Sequence, residues 1–573
     1  METITAFGPK HGSQVSFPSR TNLFQETKLS RFPLTSLQRK PAKKVSLKAT
    51  PSPTCDGRTF KKLPPSEWTD QFHSVSVDVS EMDVLGREIE SLKPNVAEML
   101  MSPKGVDSVK KRILNIYLLV SLGLAYHFED GIEESLRDDF QKIDALMAAE
   151  DDLYTVSTIF WVFRTYGYSI SSDVFTRFKE DNGKFKECLI EDARGMLSLY
   201  EAAHLGTTTD YIMDEALSFA SNNLASLVEG EMCPSHLSRH IQNALSLPQH
   251  WNMEIIVAVE YIRFYEQEVG HDEMLLKFAK LNFNLIQRCF LQELKILTKW
   301  YKDCDFASNL PPYYRESIVE MHFYSVANFF EPHFSRARIM QTKLFMTEMI
   351  LDDTCDRYAT FSELESLIKS VERWAPNDAM PDFFKFVFKF ISDAFEDCER
   401  ELRSQGRYYS FEETKIEEYM EVAKDEVGPF VIVASTLMGL DKIDAVEAFD
   451  WLKSRSKPLQ SLAEHVRFMN DLTGFKDDMS RGCVSTGMNC YMKQYGVTEK
   501  EVFKEFKKMI TNSRKKMNED FLKTTDVPRR VMKAAFDCAR SGCVGFNVGD
   551  GVTYPKGKIT KYIKSLYVDQ ILF

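Results

Sequence analysis

The strongest constraint on this chain is a period. In DEMLLKFAKLNFNLIQRCFLQELKILTKWY, running from Asp272 to Tyr301, apolar residues return every three or four positions. That spacing puts them on one face of an α-helix and no strand can use it. The same period recurs in VKKRILNIYLLVSLGLAYHF from Val109 and EDARGMLSLYEAAHL from Glu191, with short Gly, Pro, Asn or Asp breaks between. No alternating β pattern is sustained, so the fold class is all-α. With 573 residues, 44% of them hydrophobic, the chain can bury more than one core. Pro248, between two helical patterns in SHLSRHIQNALSLPQHWNMEI, marks a junction, which gives two helical domains at 58–250 and 251–573.

Charge and cysteine usage remove several functions. A net charge of −12 offers no broad basic face, which argues against a nucleic-acid partner. The 11 cysteines are scattered, odd in number and free of C-x-x-C pairs, as in a reducing compartment and unlike a zinc cluster. The longest apolar run, ILNIYLLVSLGLAYHF from Ile113, is interrupted by Asn115, Ser121 and Gly123 and is too short to span a membrane, so it reads as a core helix. Residues 1–57 differ from everything after them: they are rich in Ser, Thr, Lys and Arg, carry Glu2 and Glu26 as the only acids before Asp56, and lack an apolar signal core. That is the composition of a plastid transit peptide, with cleavage expected between Ser46 and Arg58; a disordered basic tail would share it.

In KLFMTEMILDDTCDRYAT, from Lys343, an almost wholly apolar helix runs into Asp352, Asp353 and Asp356. Phe345, Met349, Asp352 and Asp356 lie four, three and four apart, one stripe that is apolar first and acidic afterwards. Carboxylates gathered on a core-facing surface repel one another unless a cation neutralises them, and oxygen-only ligation suits a hard ion such as Mg²⁺. In RFMNDLTGFKDDMSRG, Arg467, Asn470, Gly474 and Asp478 form a second stripe, three, four and four apart. Two such helices facing across a cavity can hold several Mg²⁺ ions, which would take their remaining ligands from a substrate diphosphate.

With these motifs the sequence resembles the plant class I terpene synthases, over nearly everything after Arg58. The family's D-D-x-x-D is matched by Asp352, Asp353 and Asp356, and its (N/D)-D-x-x-(S/T)-x-x-x-E by Asn470, Asp471, Gly474 and Asp478. RTFKKLPPSEW from Arg58, LAYHFEDGI from Leu124, DFASNLPPYYRESIVE from Asp305 and FFEPHFSRARIM from Phe329 also match in order. The resemblance, closest to the type-a subfamily, implies a C-terminal α-helical bundle around an active-site cavity and a catalytically silent N-terminal α-barrel. It implies a lyase using three Mg²⁺, with Mn²⁺ as a substitute, held by Asp352, Asp356, Asn470 and Asp478. Arg315 and Arg467 would face the diphosphate, and Asp352, Asp353, Asp356, Arg315 and Arg467 would serve catalysis. Trp300, Phe323, Tyr324 and Phe345 are candidate cavity aromatics for stabilising carbocations.

The chain also departs from the family pattern. Gly474 replaces a hydroxyl ligand, Asp478 is one methylene shorter than the usual Glu, and the family's R-x-R is Arg315-Glu316-Ser317. Asp550-Gly551-Val552 stands where relatives often have D-G-Y, and Tyr324 where they often have Trp. No D-x-D-D motif for protonation-initiated cyclisation occurs: Asp138-Asp139 and Asp151-Asp152 have the wrong flanks. A chain elongase would need a second D-D-x-x-D, GVTYPKGKI from Gly551 fails as a P-loop, and the histidines form no H-E-x-x-H. A decayed helical interaction protein is the non-enzymatic alternative.

Substrate length follows from the leader and one substitution. Cyclising C10 relatives usually carry R-R-x8-W, and here the second position is Thr59. Together with a plastid address, and with the small Ser325 and Ala327 beside Tyr324, this points to a C20 or C25 diphosphate, with C15 farnesyl diphosphate as the alternative.

Overall fold

The computed structural model describes residues 54–55, 58–60, 63, 66–101, 107–376, 380–404, 428–439, 442–482 and 486–572. Of the leader 1–57, only Thr54–Cys55 fall within them, paired with Arg58–Thr59 in the single two-stranded ladder among the described residues. Everything else that is regular is helical.

The period read from the sequence is the period the helices bury. We number the helices needed here α1 to α10. Helix α1 (Ser108–Ser121) buries Ile113, Ile116 and Leu119. Helix α2 (Glu273–Asp303) opens on Asp272, whose carboxylate accepts from Leu275 N at 2.8 Å, and buries Leu275, Phe278, Ile286, Phe290, Leu294 and Leu297. Helices α3 (Ile318–Ser325) and α4 (Ser335–Arg357) pack on it and on each other. After them come α5 (Asp382–Ser404), α6 (Pro429–Leu437), α7 (Lys457–Arg481), α8 (Glu499–Lys523), α9 (Arg529–Gly545) and α10 (Lys558–Tyr567). Among the described residues no helix is long and apolar enough to cross a membrane.

A charged network fixes α2, α3 and α4 to the C-terminal helix. Arg338, with no exposed surface, donates to both oxygens of Glu293 at 2.8 and 2.6 Å. His322 bridges Glu293 and the Tyr567 hydroxyl at 2.8 and 2.9 Å. Burial pushes the Glu293 carboxyl up, but the Arg338 guanidinium outweighs it and holds the group down at about 2. A buried pair so fully bonded fixes the register of α4, because any shift would leave a charge unpaired.

Residues 49–573 form one compact unit. The segment after Pro248 is held inside it. Trp251 is fully buried and stacks on Phe536 of α9, His250 Nε2 lies 2.9 Å from Asn518 Oδ1 of α8, and Arg540 Nε donates to His250 O at 3.0 Å. Asn518 also donates to the His204 and Gly206 carbonyls, so helices from both sides of residue 250 share one set of polar contacts.

Candidate active site

Helix α4 delivers its acids in two orientations. Asp353 has no exposed surface: one oxygen accepts from Arg315 N and Nε at 2.8 and 3.0 Å, the other from Arg357 Nε at 3.0 Å. Its neighbour Thr354 is equally buried and meets the Tyr313 hydroxyl at 2.9 Å. Asp352 keeps 37% of its side chain exposed and accepts from Arg315 Nη2 at 2.6 Å. Asp356, one turn on, is exposed. Asp353 therefore positions Arg315, while Asp352 and Asp356 present carboxylate to the outside of the helix.

The electrostatics favour a cation here. Burial pushes the Asp352 carboxyl up, Arg315 pulls it down, and the charges of Asp356 and Asp353 push it up again, for a net rise. Burial raises Glu348, one turn before Asp352, to about 8, with Asp352 adding to the effect. Arg315 is held firmly charged: burial opposes it, but Asp353 and Asp352 outweigh burial. Ser317, at the place of the family's second arginine, is buried and directs its hydroxyl toward Met346 Sδ at 3.8 Å, so Arg315 is the single cation of that triplet.

The second stripe also divides. Arg467 is exposed and donates to Asn470 Oδ1, with Nε 3.6 Å from Asp471. Asp471 is buried and turns toward the Gly487 amide; a Cβ at Gly487 would lie 2.4 Å from its Oδ2, which only glycine avoids. Asn470 and Asp478 are half-buried. At Gly474 an added Cβ would meet nothing nearer than Asp478 Oδ2, at 3.6 Å.

The loop between α9 and α10 links Arg315 to α7. Thr553 Oγ1 accepts from Arg315 Nη1 at 3.1 Å, and the next residue, Tyr554, donates its hydroxyl to Asp477 Oδ1 of α7 at 3.0 Å. The Asp550 carboxylate shapes the loop by accepting from Val552 N and Thr553 N at 3.1 and 2.9 Å. Gly551 is fixed by close approach: its Cβ would fall 2.7 Å from Gly545 O. Tyr324 donates its hydroxyl to Gly551 O at 3.2 Å. The aromatic expected from relatives at position 552 is absent, but Tyr554 enters the same loop two residues later. Sequence reading missed Thr553 and Tyr554; the one available signal was the Tyr554 ring close after D-G.

The four candidate aromatics part company. Phe345 is buried on the α4 stripe that carries Asp352. Tyr324 lies against the loop, with its ring beside Gly545. Phe323 has no exposed surface and stacks on Tyr562 of α10. Trp300 packs on Phe390 of α5 and under the Lys343 ammonium, contacts of the helix core and not of the acidic stripes.

The donor set of Asp352, Asp356, Asn470 and Asp478 is all oxygen and carries surplus negative charge, which fits hard divalent cations. Among the described residues no three acids, histidines or cysteines converge on one point.

Comparisons with known proteins find matches over most of the chain. A family model described as "Terpene synthase, N-terminal domain" matches residues 67–245, and one described as "Terpene synthase family, metal binding domain" matches 302–416 and 412–516. The chain is 72% identical to "Putative terpenoid synthase 16" of Arabidopsis thaliana over the whole of both chains. It is 47% identical to "Alpha-barbatene synthase" of the same plant, over 90% of this chain and 97% of that one. Among solved structures, isoprene synthase from grey poplar leaves (Populus x canescens), in complex with three Mg²⁺ ions and dimethylallyl-S-thiolodiphosphate, shares the fold with a TM-score of 0.74. That match is 24% identical and covers 88% of this chain and 99% of the other.

Proposed function

Since this chain belongs to the terpene synthase family, lyases acting on prenyl diphosphates, we propose that it ionises a C20 or C25 prenyl diphosphate in the plastid and cyclises the carbocation to a terpene hydrocarbon. The observation that carries the ionisation is the unit of Arg315, Asp352 and Thr553, which sets a fixed guanidinium beside the acidic stripe and under a loop that also grips α7.

Asp352, Asp356, Asn470 and Asp478 would hold the divalent cations. Bound there, Mg²⁺ would offset the charge developing on the leaving diphosphate. Arg315, locked by Asp353, adds a positive charge that needs no reorganisation when the carbon–oxygen bond breaks. The loop 550–554 would exclude water from the resulting cation, which then adds to its own double bonds. No protein nucleophile takes part.

Substrate length rests on the leader composition and on Thr59. The Ser325 hydroxyl donates to His322 O at 2.8 Å and lies 3.1 Å from Thr342 Oγ1, contacts that suit helix packing. The second reading is a C15 substrate, favoured by the resemblance to proteins named alpha-barbatene synthase and (Z)-gamma-bisabolene synthase, at 47% and 43% identity. The test is a competition between equal amounts of C10, C15, C20 and C25 diphosphates with residues 58–573 and Mg²⁺. Dominant consumption of C20 or C25 is expected, and dominant consumption of C15 selects the second reading. A fluorescent fusion of residues 1–57 should enter plastids; a cytosolic signal would remove the argument for length.

A further inference from the structure

A second cavity lies among the helices that precede residue 272, and no residue of either acidic stripe lines it. Its volume is about 270 Å³. Helix α1 supplies Tyr117, helix Leu153–Thr165 supplies Tyr154, and helix Ala193–Ala203 supplies Ser198. His240 comes from helix Ser235–Ser246, and Tyr261 and Phe264 from helix Glu254–Tyr265.

Tyr261 is the group this cavity leaves unmet. The residue is 7% exposed, and among the described residues its hydroxyl has no hydrogen-bond partner. The oxygen is not one of the sealed polar atoms, so its open side is the cavity that the residue lines. Comparably buried tyrosines are bonded: Tyr313 to Thr354 at 2.9 Å, Tyr324 to Gly551 O at 3.2 Å and Tyr567 to His322 at 2.9 Å. Tyr265, which shares the cavity, spends its hydroxyl on Asp272 N at 2.9 Å. A buried phenol without a partner costs free energy that a ligand oxygen can recover.

The charges around the cavity are already matched. Glu268 pairs with Arg194 and lies 2.8 Å from His236 Nε2. Burial, reinforced by the Tyr117 and Tyr154 phenols, pushes the Tyr261 phenol far up, so it stays a neutral O–H. Burial pulls the His240 imidazole down to about 4, which leaves it neutral as well. An ionic ligand would lose its hydration here and find no spare counter-charge. The walls are aromatic. Tyr117 meets Tyr261 at 6.4 Å and 86°, His240 meets Tyr261 at 5.5 Å and 75°, and His240 stacks on Phe264 at 4.3 Å. Such walls favour a ring over a chain, and the volume exceeds the roughly 150 Å³ that encloses one benzene.

We propose that this cavity is a binding site for a small uncharged phenol, whose hydroxyl bonds the Tyr261 hydroxyl and whose ring lies against Tyr117 and His240. The site is independent of the ionisation chemistry and gives the N-terminal helices a ligand of their own.

The test uses the full chain and four probes of one shape: 4-propylphenol, propylbenzene, 4-propylbenzoate and 4-propylbenzylamine. Titration calorimetry should show one 4-propylphenol bound per chain, with Kd of about 0.1 mM or tighter. Propylbenzene, which lacks the hydroxyl, and the two charged probes should each bind at least about tenfold more weakly. Tyr261→Phe should weaken 4-propylphenol by about tenfold and leave propylbenzene unchanged. Its melting temperature should equal or exceed that of wild type, because the lost hydroxyl has no partner in the resting fold. Ser198→Trp, which places a ring in the cavity, should abolish binding of both neutral probes. Absence of saturable 4-propylphenol binding to wild type at 1 mM on the order of ten times the expected Kd would overturn the assignment. So would equal affinity for 4-propylphenol and propylbenzene, unchanged 4-propylphenol affinity in Tyr261→Phe, or a lowered melting temperature in that variant, which would give the hydroxyl a structural role.

Discussion

Tyr554 donates its hydroxyl to Asp477 Oδ1 at 3.0 Å, one residue after Thr553 accepts from Arg315. Through this bond the loop after α9 holds the acid-bearing ends of α4 and α7 together. Tyr554→Phe removes the donor and little else, so the loop should close less firmly over a cation. A drop in turnover of about tenfold or more is expected, on the order of one lost hydrogen bond to a charged group, together with a larger share of water-captured alcohols. Product analysis beside steady-state rates checks both; an unchanged alcohol fraction would deny the loop its role in excluding water.

Neighbouring aspartates should respond in opposite ways. Asp352→Ala and Asp356→Ala are expected to reduce turnover by about a thousandfold or more, since each removes a cation ligand, while thermal stability holds or rises because repulsion is relieved. Asp353→Ala should instead destabilise the fold by roughly 3–5 kcal/mol, because Arg315 and Arg357 lose the carboxylate that both bond. Calorimetric melting of the three variants separates the cases, and an undisturbed melt for Asp353→Ala would contradict the positioning role.

Gly474→Ser should lower the Mg²⁺ concentration for half-maximal rate by several-fold. Space is open there, with Asp478 Oδ2 at 3.6 Å from the added Cβ, and serine also favours the helix over glycine by about 0.5 kcal/mol. The check is a Mg²⁺ titration of rate at saturating substrate. A raised requirement would mean the site is organised around the glycine.

Glu201 offers a pH test remote from the site. Burial raises its carboxyl to about 8, and its bond from Gln249 N pulls only slightly the other way. The folded protein therefore binds a proton that the unfolded chain has already released, so stability falls as pH climbs from the ordinary glutamate range through about 8. Glu201→Gln should flatten that fall, with a melting-temperature advantage over wild type that grows from pH 6 to pH 9. A constant difference across the range would show that Glu201 does not titrate there.

The sequence by itself determined the helices and the side of each on which its acids lie. The period that buries Leu275, Phe278, Ile286 and Phe290 is a local property of the backbone, so it can be read residue by residue. The stripes of Asp352 and Asp356 and of Asn470 and Asp478 follow from the same rule. Tertiary structure decided which member of each stripe does what. Asp352 and Asp353 are adjacent and chemically identical, yet Asp353 is consumed by two arginines while Asp352 stays half open, because a 100° turn per residue gives them different neighbours. Trp300 and Phe323 could not be told from cavity aromatics, since a core face and a cavity face share one period. The contact between Arg315 and Thr553 joins residues 238 apart. Such pairings depend on how separate helices dock, which is a property of the assembled core and not of any one segment's pattern.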